Sequence, residues 1–165
     1  MPLVLNSSSI TGASSITGLT SGGLYAPGHV MQVQQASYTT DVSTSSSEYA
    51  TTGLSASITP LSTSSKVLVM FSIGGILTAS STFGLGFAIY KNGSAVWTDT
   101  HTYDEGYYAA ITTAYRPSRA NFQYLDSPAS TSSLTYTVYF AAYTGTIVIH
   151  QANADSRITL MEVAA

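Results

Sequence analysis

The 165-residue chain contains no cysteine. Disulfides therefore hold no part of it together, and thiolate–metal or redox chemistry is excluded. Charge is nearly as scarce. Asp, Glu, Lys and Arg make up 8% of the residues, against about 25% in an ordinary soluble domain. The five basic residues form no stripe and the net charge is −3, so no nucleic-acid partner is expected. No apolar run reaches the roughly 18 residues of a membrane-spanning helix, so no membrane partner is expected either. The opening Met1-Pro2-Leu3-Val4-Leu5-Asn6 lacks a basic flank and soon turns polar. It does not read as a secretory signal, and the chain reads as complete from Met1. No segment carries the 3.6-residue apolar period of an amphipathic helix.

Hydrophobic residues make up 44% of the chain, enough for a sizeable core in one domain plus an extension. Ser, Thr and Tyr take the place of the usual charged coat. Little electrostatic protection remains against self-association. Depletion of charge is an interface trait, so much of the surface is expected to be buried against other subunits. A secreted domain with a Ser/Thr coat is the competing reading.

Residues 1–28 stand apart as an arm. Ser8-Ser9-Ile10-Thr11-Gly12 recurs six residues later as Ser14-Ser15-Ile16-Thr17-Gly18, and Leu19 and Leu24 follow among glycines. One isolated apolar residue every six cannot form a core. The even spacing keeps Ile10 and Ile16 on one face of an extended strand. A lone strand has unpaired backbone groups, so the arm is expected either to be disordered or to lie on another surface. Ile10, Ile16, Leu19 and Leu24 are its attachment candidates.

From His29 to residue 165 the pattern is of strands and turns. Val30–Gln34 opens the domain. Tyr49–Thr59 alternates, with Leu54, Ala56 and Ile58 on one face, and Pro60 stops it. Lys66–Ile73 is apolar on both faces and reads as a central strand. Gly74-Gly75 marks a bulge or bend. Phe83–Tyr90, Asn92-Gly93 and Ala95-Val96-Trp97 form a hairpin with a type I′ turn. Further strands are expected at Tyr107–Thr113, Ala120–Leu125, Leu134–Ala142, Thr146–His150 and Arg157–Val163. The fold class is all-β, a sandwich or barrel. The absent cysteines and the position of Trp97 give an immunoglobulin topology no support.

Sites of chemistry are hard to find. His29, His101 and His150 lie far apart, and none has metal-ligand spacing. Asp99, His101, Asp104 and Glu105 form the one acidic cluster; carboxylates on a loop can ligate calcium, but the spacing is not that of an EF-hand and a solvated loop is preferred. No GxSxG elbow exists. Asp104 and Glu105 are adjacent and point apart on a strand, which suits no glycosidase pair. No catalytic residue, cofactor or metal is assigned, and the chain is read as not an enzyme. Tyr103, Tyr107, Tyr108 and Tyr115 cluster between two strands, and tyrosine suits interfaces. Arg116 and Arg119 flank Pro117-Ser118 and suit pairing with Asp104 or Glu105 at a subunit boundary. These six are the subunit-interface candidates.

Three stretches resemble a family of tailed-bacteriophage virion proteins, loosely described as tail-fibre or head-decoration proteins. They are Ser14–Leu24, Gly28–Val33 leading to Ile58-Thr59-Pro60, and Tyr124–Pro128 with Ile158–Val163. The resemblance implies a jelly-roll-like domain, commonly a homotrimer, on the outer surface of the capsid, with the major capsid protein as partner. A decoration or cement role through the arm is the expectation. A tail-associated adhesin binding host glycans through Tyr107 or Tyr108 is the alternative.

Overall fold

The computed structural model describes residues 27–78, 84–99 and 118–165. The expected strand at 107–113, the acidic loop beyond Asp99 and the arm up to residue 26 lie outside these residues. Ten strands are described: β1 (Val30–Tyr38), β2 (Val42–Thr44), β3 (Ala50–Ile58), β4 (Lys66–Thr78), β5 (Gly84–Lys91), β6 (Ser94–Thr98), β7 (Ser118–Asp126), β8 (Leu134–Thr144), β9 (Ile147–Ile149) and β10 (Ser156–Val163). All their pairings are antiparallel.

Strand β5 turns tightly into β6 through Asn92 (φ 49°) and Gly93 (φ 84°). Both central residues have positive φ, as a type I′ turn requires. Outward from this hairpin, β4 pairs β7, β5 also pairs β8, β3 pairs β8, and β1 pairs β10. The nested pairs amount to one long hairpin folded over on itself. The fold divides it into two sheets, β1-β10-β4-β7 and β3-β8-β5-β6. That is the strand order of a jelly roll. Strands β2 and β9 extend the first sheet at one end, where β9 pairs the last residues of β4.

Period-two alternation turns one face of each sheet inward. Strand β4 contributes Val67, Val69, Phe71 and Ile73, β5 Leu85, Phe87 and Ile89, β8 Leu134, Tyr136, Val138 and Phe140, and β10 Ile158 and Leu160, all buried. Phe71, Phe87, Phe122 and Trp97 pack ring against ring where β4, β5, β6 and β7 meet, with centroids 5.2–6.5 Å apart. Gly74-Gly75 forms the expected bulge: the β4–β7 register shifts between Ile73 and Ile76, and Gly75 has φ 61°. A Cβ at Gly75 would lie 2.5 Å from the Gln151 amide nitrogen, so only glycine fits.

Polar groups fix one sheet against the other. Asp126, inward on β7, accepts from Lys91 Nζ (2.7 Å) and the Tyr136 hydroxyl (2.6 Å), both on the opposite sheet. Burial, and then the Asp126 carboxylate, push the Tyr136 phenol far above its ordinary range, so it remains a donor. In the same row, Glu162 is fully buried and accepts from the Leu61 amide (2.7 Å) and the Gln32 side chain (2.6 Å). Asp126→Ala strands both an ammonium and a hydroxyl. It is expected to destabilise by about 3 kcal/mol, and by more than Lys91→Ala, whose loss leaves the carboxylate its tyrosine donor. Chemical denaturation of the two variants checks the order.

Candidate interaction surfaces

Among the described residues no group of three or more His, Asp or Glu side chains could hold a metal ion. The chemistry is instead on the outer faces of the two sheets and at the kink that ends β9.

The kink is built on His150. The sequence pattern places it at the end of a strand; it lies just past β9 in a left-handed conformation, φ 60°, ahead of a short 3-10 turn at Gln151–Asn153. It is fully buried. Its Nε2 lies 3.0 Å from the Thr52 carbonyl on the opposite sheet and its Nδ1 lies 2.7 Å from Ser156 Oγ. A carbonyl only accepts, so Nε2 carries the proton and Nδ1 accepts from Ser156. Ser156 Oγ in turn accepts the Gly74 amide at 2.8 Å. The Tyr38 ring meets the imidazole edge-on at 5.2 Å. Burial lowers the pKa of His150, and its bond to the Thr52 backbone and the charge of Asp41 only partly offset this.

The strands β3, β8, β5 and β6 turn no charged side chain outward among the described residues, but Asp99, just past β6, lies close to Tyr49 on this face. Tyr49 and Tyr143 share a hydroxyl–hydroxyl hydrogen bond of 3.1 Å, and Tyr49 donates to the Asp99 carbonyl at 3.1 Å. They lie over Gly86, where a Cβ would be 2.8 Å from the Tyr143 ring. Burial, and then Tyr143, raise the Tyr49 phenol well above its usual value. Tyr90 and Tyr139 stack beside them at 3.9 Å.

The outer face of β1-β10-β4-β7 has two ends of opposite character. In one row Val33 pairs Met161, Met161 pairs Leu68 and Leu68 pairs Leu125. This apolar row crosses four strands, about 14 Å. Val33 and Leu125 are 50% and 49% exposed, and Val30, three residues earlier on β1 and paired with Val163, is 53% exposed. The arm joins the domain at this end, where the Gly28 amide donates to the Ala164 carbonyl and the Ala164 amide to His29. Four residues along β10 the face becomes polar. Arg157 pairs Ser72, and Ser72 pairs Asn121. Arg119 donates to Ser72 Oγ (3.0 Å) and the Asp155 carbonyl (3.1 Å).

Arg119 is thus bonded within its own chain on an exposed sheet face. The other interface candidates, Tyr103, Tyr107, Tyr108, Tyr115 and Arg116, lie outside the described residues, as do Ile10, Ile16, Leu19 and Leu24. The tyrosines that cluster on the described surface are a different set, Tyr49, Tyr90, Tyr139 and Tyr143. Two of them were open to sequence reasoning: Tyr139 and Tyr143 alternate with the inward residues of Leu134–Ala142.

The two sheets and their strand order define the class, a jelly-roll β-sandwich. No protein-family model matches the chain, and no curated protein does. Among solved structures it is similar to VP2 in the infectious bursal disease virus subviral particle, with TM-score 0.44 and 13% identity over 82% of this chain and 38% of that one. The infectious bursal disease virus Gx strain gives 0.44 and 14% over 81% and 37%. Dimeric latent PorU from Porphyromonas gingivalis gives 0.33 and 13% over 85% and 14%. The chain therefore spans well under half the length of each, and identities this low transfer no role.

The unfolded chain protonates its histidines near the usual value of about 6.5, whereas folded His150 takes a proton only at lower pH. The unfolded state binds more protons as pH falls through that window, so stability drops there. Melting temperature is expected to fall between pH 7.5 and pH 5, and His150→Asn to flatten that part of the profile. Thermal melts of the two proteins across this range check it.

Proposed function

We propose that this chain is a non-enzymatic structural protein of a virion, a decoration subunit that grips the outside of the shell. The observation that supports this reading is the continuity between the arm and the apolar row Val33–Met161–Leu68–Leu125. The arm joins the domain beside Val30 and Val163, at the end of the face where apolar side chains stand exposed. An arm whose own apolar residues are too sparse for a core, beside such a row, suits attachment to a larger surface. The scarcity of charge, 8% of the chain, and the resemblance to tailed-phage decoration proteins support it too.

In this reading the arm, residues 1–28, lies on the major capsid protein through Ile10, Ile16, Leu19 and Leu24, and the apolar row seats the domain. The assembly is a homotrimer, with the tyrosine face of β3-β8-β5-β6 turned toward other copies. Tyrosine gives large contact area with a polar tip, and strands that turn no charged side chain outward keep the desolvation of ions on burial small. A ligand that binds only the assembled lattice stabilises it by mass action.

Deleting residues 1–24 is expected to leave a folded domain, because no described strand begins before Val30. Three linked arms raise avidity by about 10²–10⁴ over one, and shell affinity is expected to drop on that scale. Co-sedimentation with undecorated shells measures it. Val33→Asp, with the arm intact, is expected to weaken binding less. Unchanged binding by the truncated protein overturns the proposal.

A further inference from the structure

The polar end of the β1-β10-β4-β7 face contains an open, shallow groove of about 390 Å³, lined by residues of β4 and β7 and by Arg157. Its volume falls within the roughly 300–1,000 Å³ of small-ligand sites. The depression follows from the register. Ser72, a short side chain, sits at the centre of the row Arg157–Ser72–Asn121, with Met70 and Gln123 paired in the row beside it. Long neighbours around a short residue leave a hollow.

Two of the chain's five basic residues meet here. One residue orients both. The Asp155 carbonyl accepts from Arg119 Nη1 at 3.1 Å, and the Asp155 carboxylate accepts from Arg157 Nε at 2.6 Å. One carboxylate neutralises one of two guanidiniums, so the cluster keeps a positive charge in a protein of net charge −3. Nε is engaged, and the two terminal nitrogens of Arg157 make no hydrogen bond to the described residues. The side-chain amides of Asn121 and Gln123 make none either, and both residues are exposed. The strands are paired on both sides of β4, so its backbone is committed to the ladders. Over β4, recognition therefore has to come from side chains.

We infer that this groove binds a carboxylate-bearing saccharide. A guanidinium fork with free terminal donors matches a carboxylate in two parallel hydrogen bonds. Carboxamides both donate and accept, which suits adjacent sugar hydroxyls. The Met70 thioether offers a soft apolar floor for the C–H face of a sugar ring. An inorganic anion uses only the first of these features. A peptide carboxylate brings no run of hydroxyls for Asn121 and Gln123. Asp155 holds both guanidiniums before the ligand arrives, which lowers the cost of ordering them.

The site lies about 13 Å along β10 from the apolar row, and it does not depend on shell attachment. The test therefore uses the full chain in solution, with no shell present. Titration of the ¹⁵N-labelled protein with glucuronate, glucose and inorganic phosphate reads binding as amide shifts around Ser72 and Asn121. Glucuronate is expected to bind at least tenfold more tightly than glucose or phosphate. Arg157→Ala is expected to lose about tenfold in glucuronate affinity without a change in melting temperature, since Arg157 is exposed. Asn121→Ala is expected to weaken glucuronate but not phosphate. Equal binding of glucose and glucuronate overturns the inference. So does phosphate binding as tight as glucuronate, which makes the groove a general anion site. No glucuronate binding, together with loss of self-association in Arg157→Ala, makes the groove a protein contact and also overturns it.

Discussion

Two apolar sheet faces attract each other without direction, because burial of apolar surface is nearly indifferent to how the surfaces are turned. A sandwich held by that force alone could settle with its sheets displaced by a residue or two. The Asp126 carboxylate removes this freedom. It sits on β7 and takes donors from β5 and β8 at 2.7 and 2.6 Å. Lys91 and Tyr136 are themselves paired across the opposite sheet, so one carboxylate reads the register of two strands at once. At the far end His150 does the same work. It reaches the Thr52 carbonyl across the sandwich while its backbone amide bonds Gly74 at the β4 bulge. With a polar clamp at each end, both outer faces acquire fixed positions relative to each other, and the rows of side chains on them become surfaces of definite shape.

Strand positions were largely legible in the sequence, because each strand with one buried face spells out its period. Leu54, Ala56 and Ile58 stand on one side of β3 as the alternation requires. Asn92-Gly93 is legible for a different reason: few pairs of residues tolerate two successive positive φ angles. The Gly74-Gly75 bulge was legible as an interruption in an apolar run. Strand β2, three residues long, was not, since Val42-Ser43-Thr44 shows no pattern above its surroundings.

Beyond the hairpin at Asn92-Gly93, pairing partners were not legible. Nothing local to Arg157, Ser72 or Asn121 announces that the three lie side by side. Their juxtaposition depends on the register of β10 on β4 and of β4 on β7, and hence on the whole topology. The same holds for the apolar row from Val33 to Leu125. His150 looked like the last residue of a strand because its neighbours Ile147 and Ile149 alternate. Its burial comes from the kink after β9 and from Thr52, 98 residues away in the chain, a contact that no local pattern records.

The nested hairpin also sets the order of events during folding. Strand β10 is the last of the described strands and lies inside its sheet, between β1 and β4. Gln32 and Glu162, which share a hydrogen bond, are 130 residues apart. Contacts so distant in sequence close late and slowly, since the loop entropy is spent before they form. During folding, β1 and the edge of β4 that receives β10 therefore wait without a partner until β10 inserts between them. The row from Val33 to Leu125 crosses β1, β10, β4 and β7, so it exists as one continuous surface only once β10 has inserted.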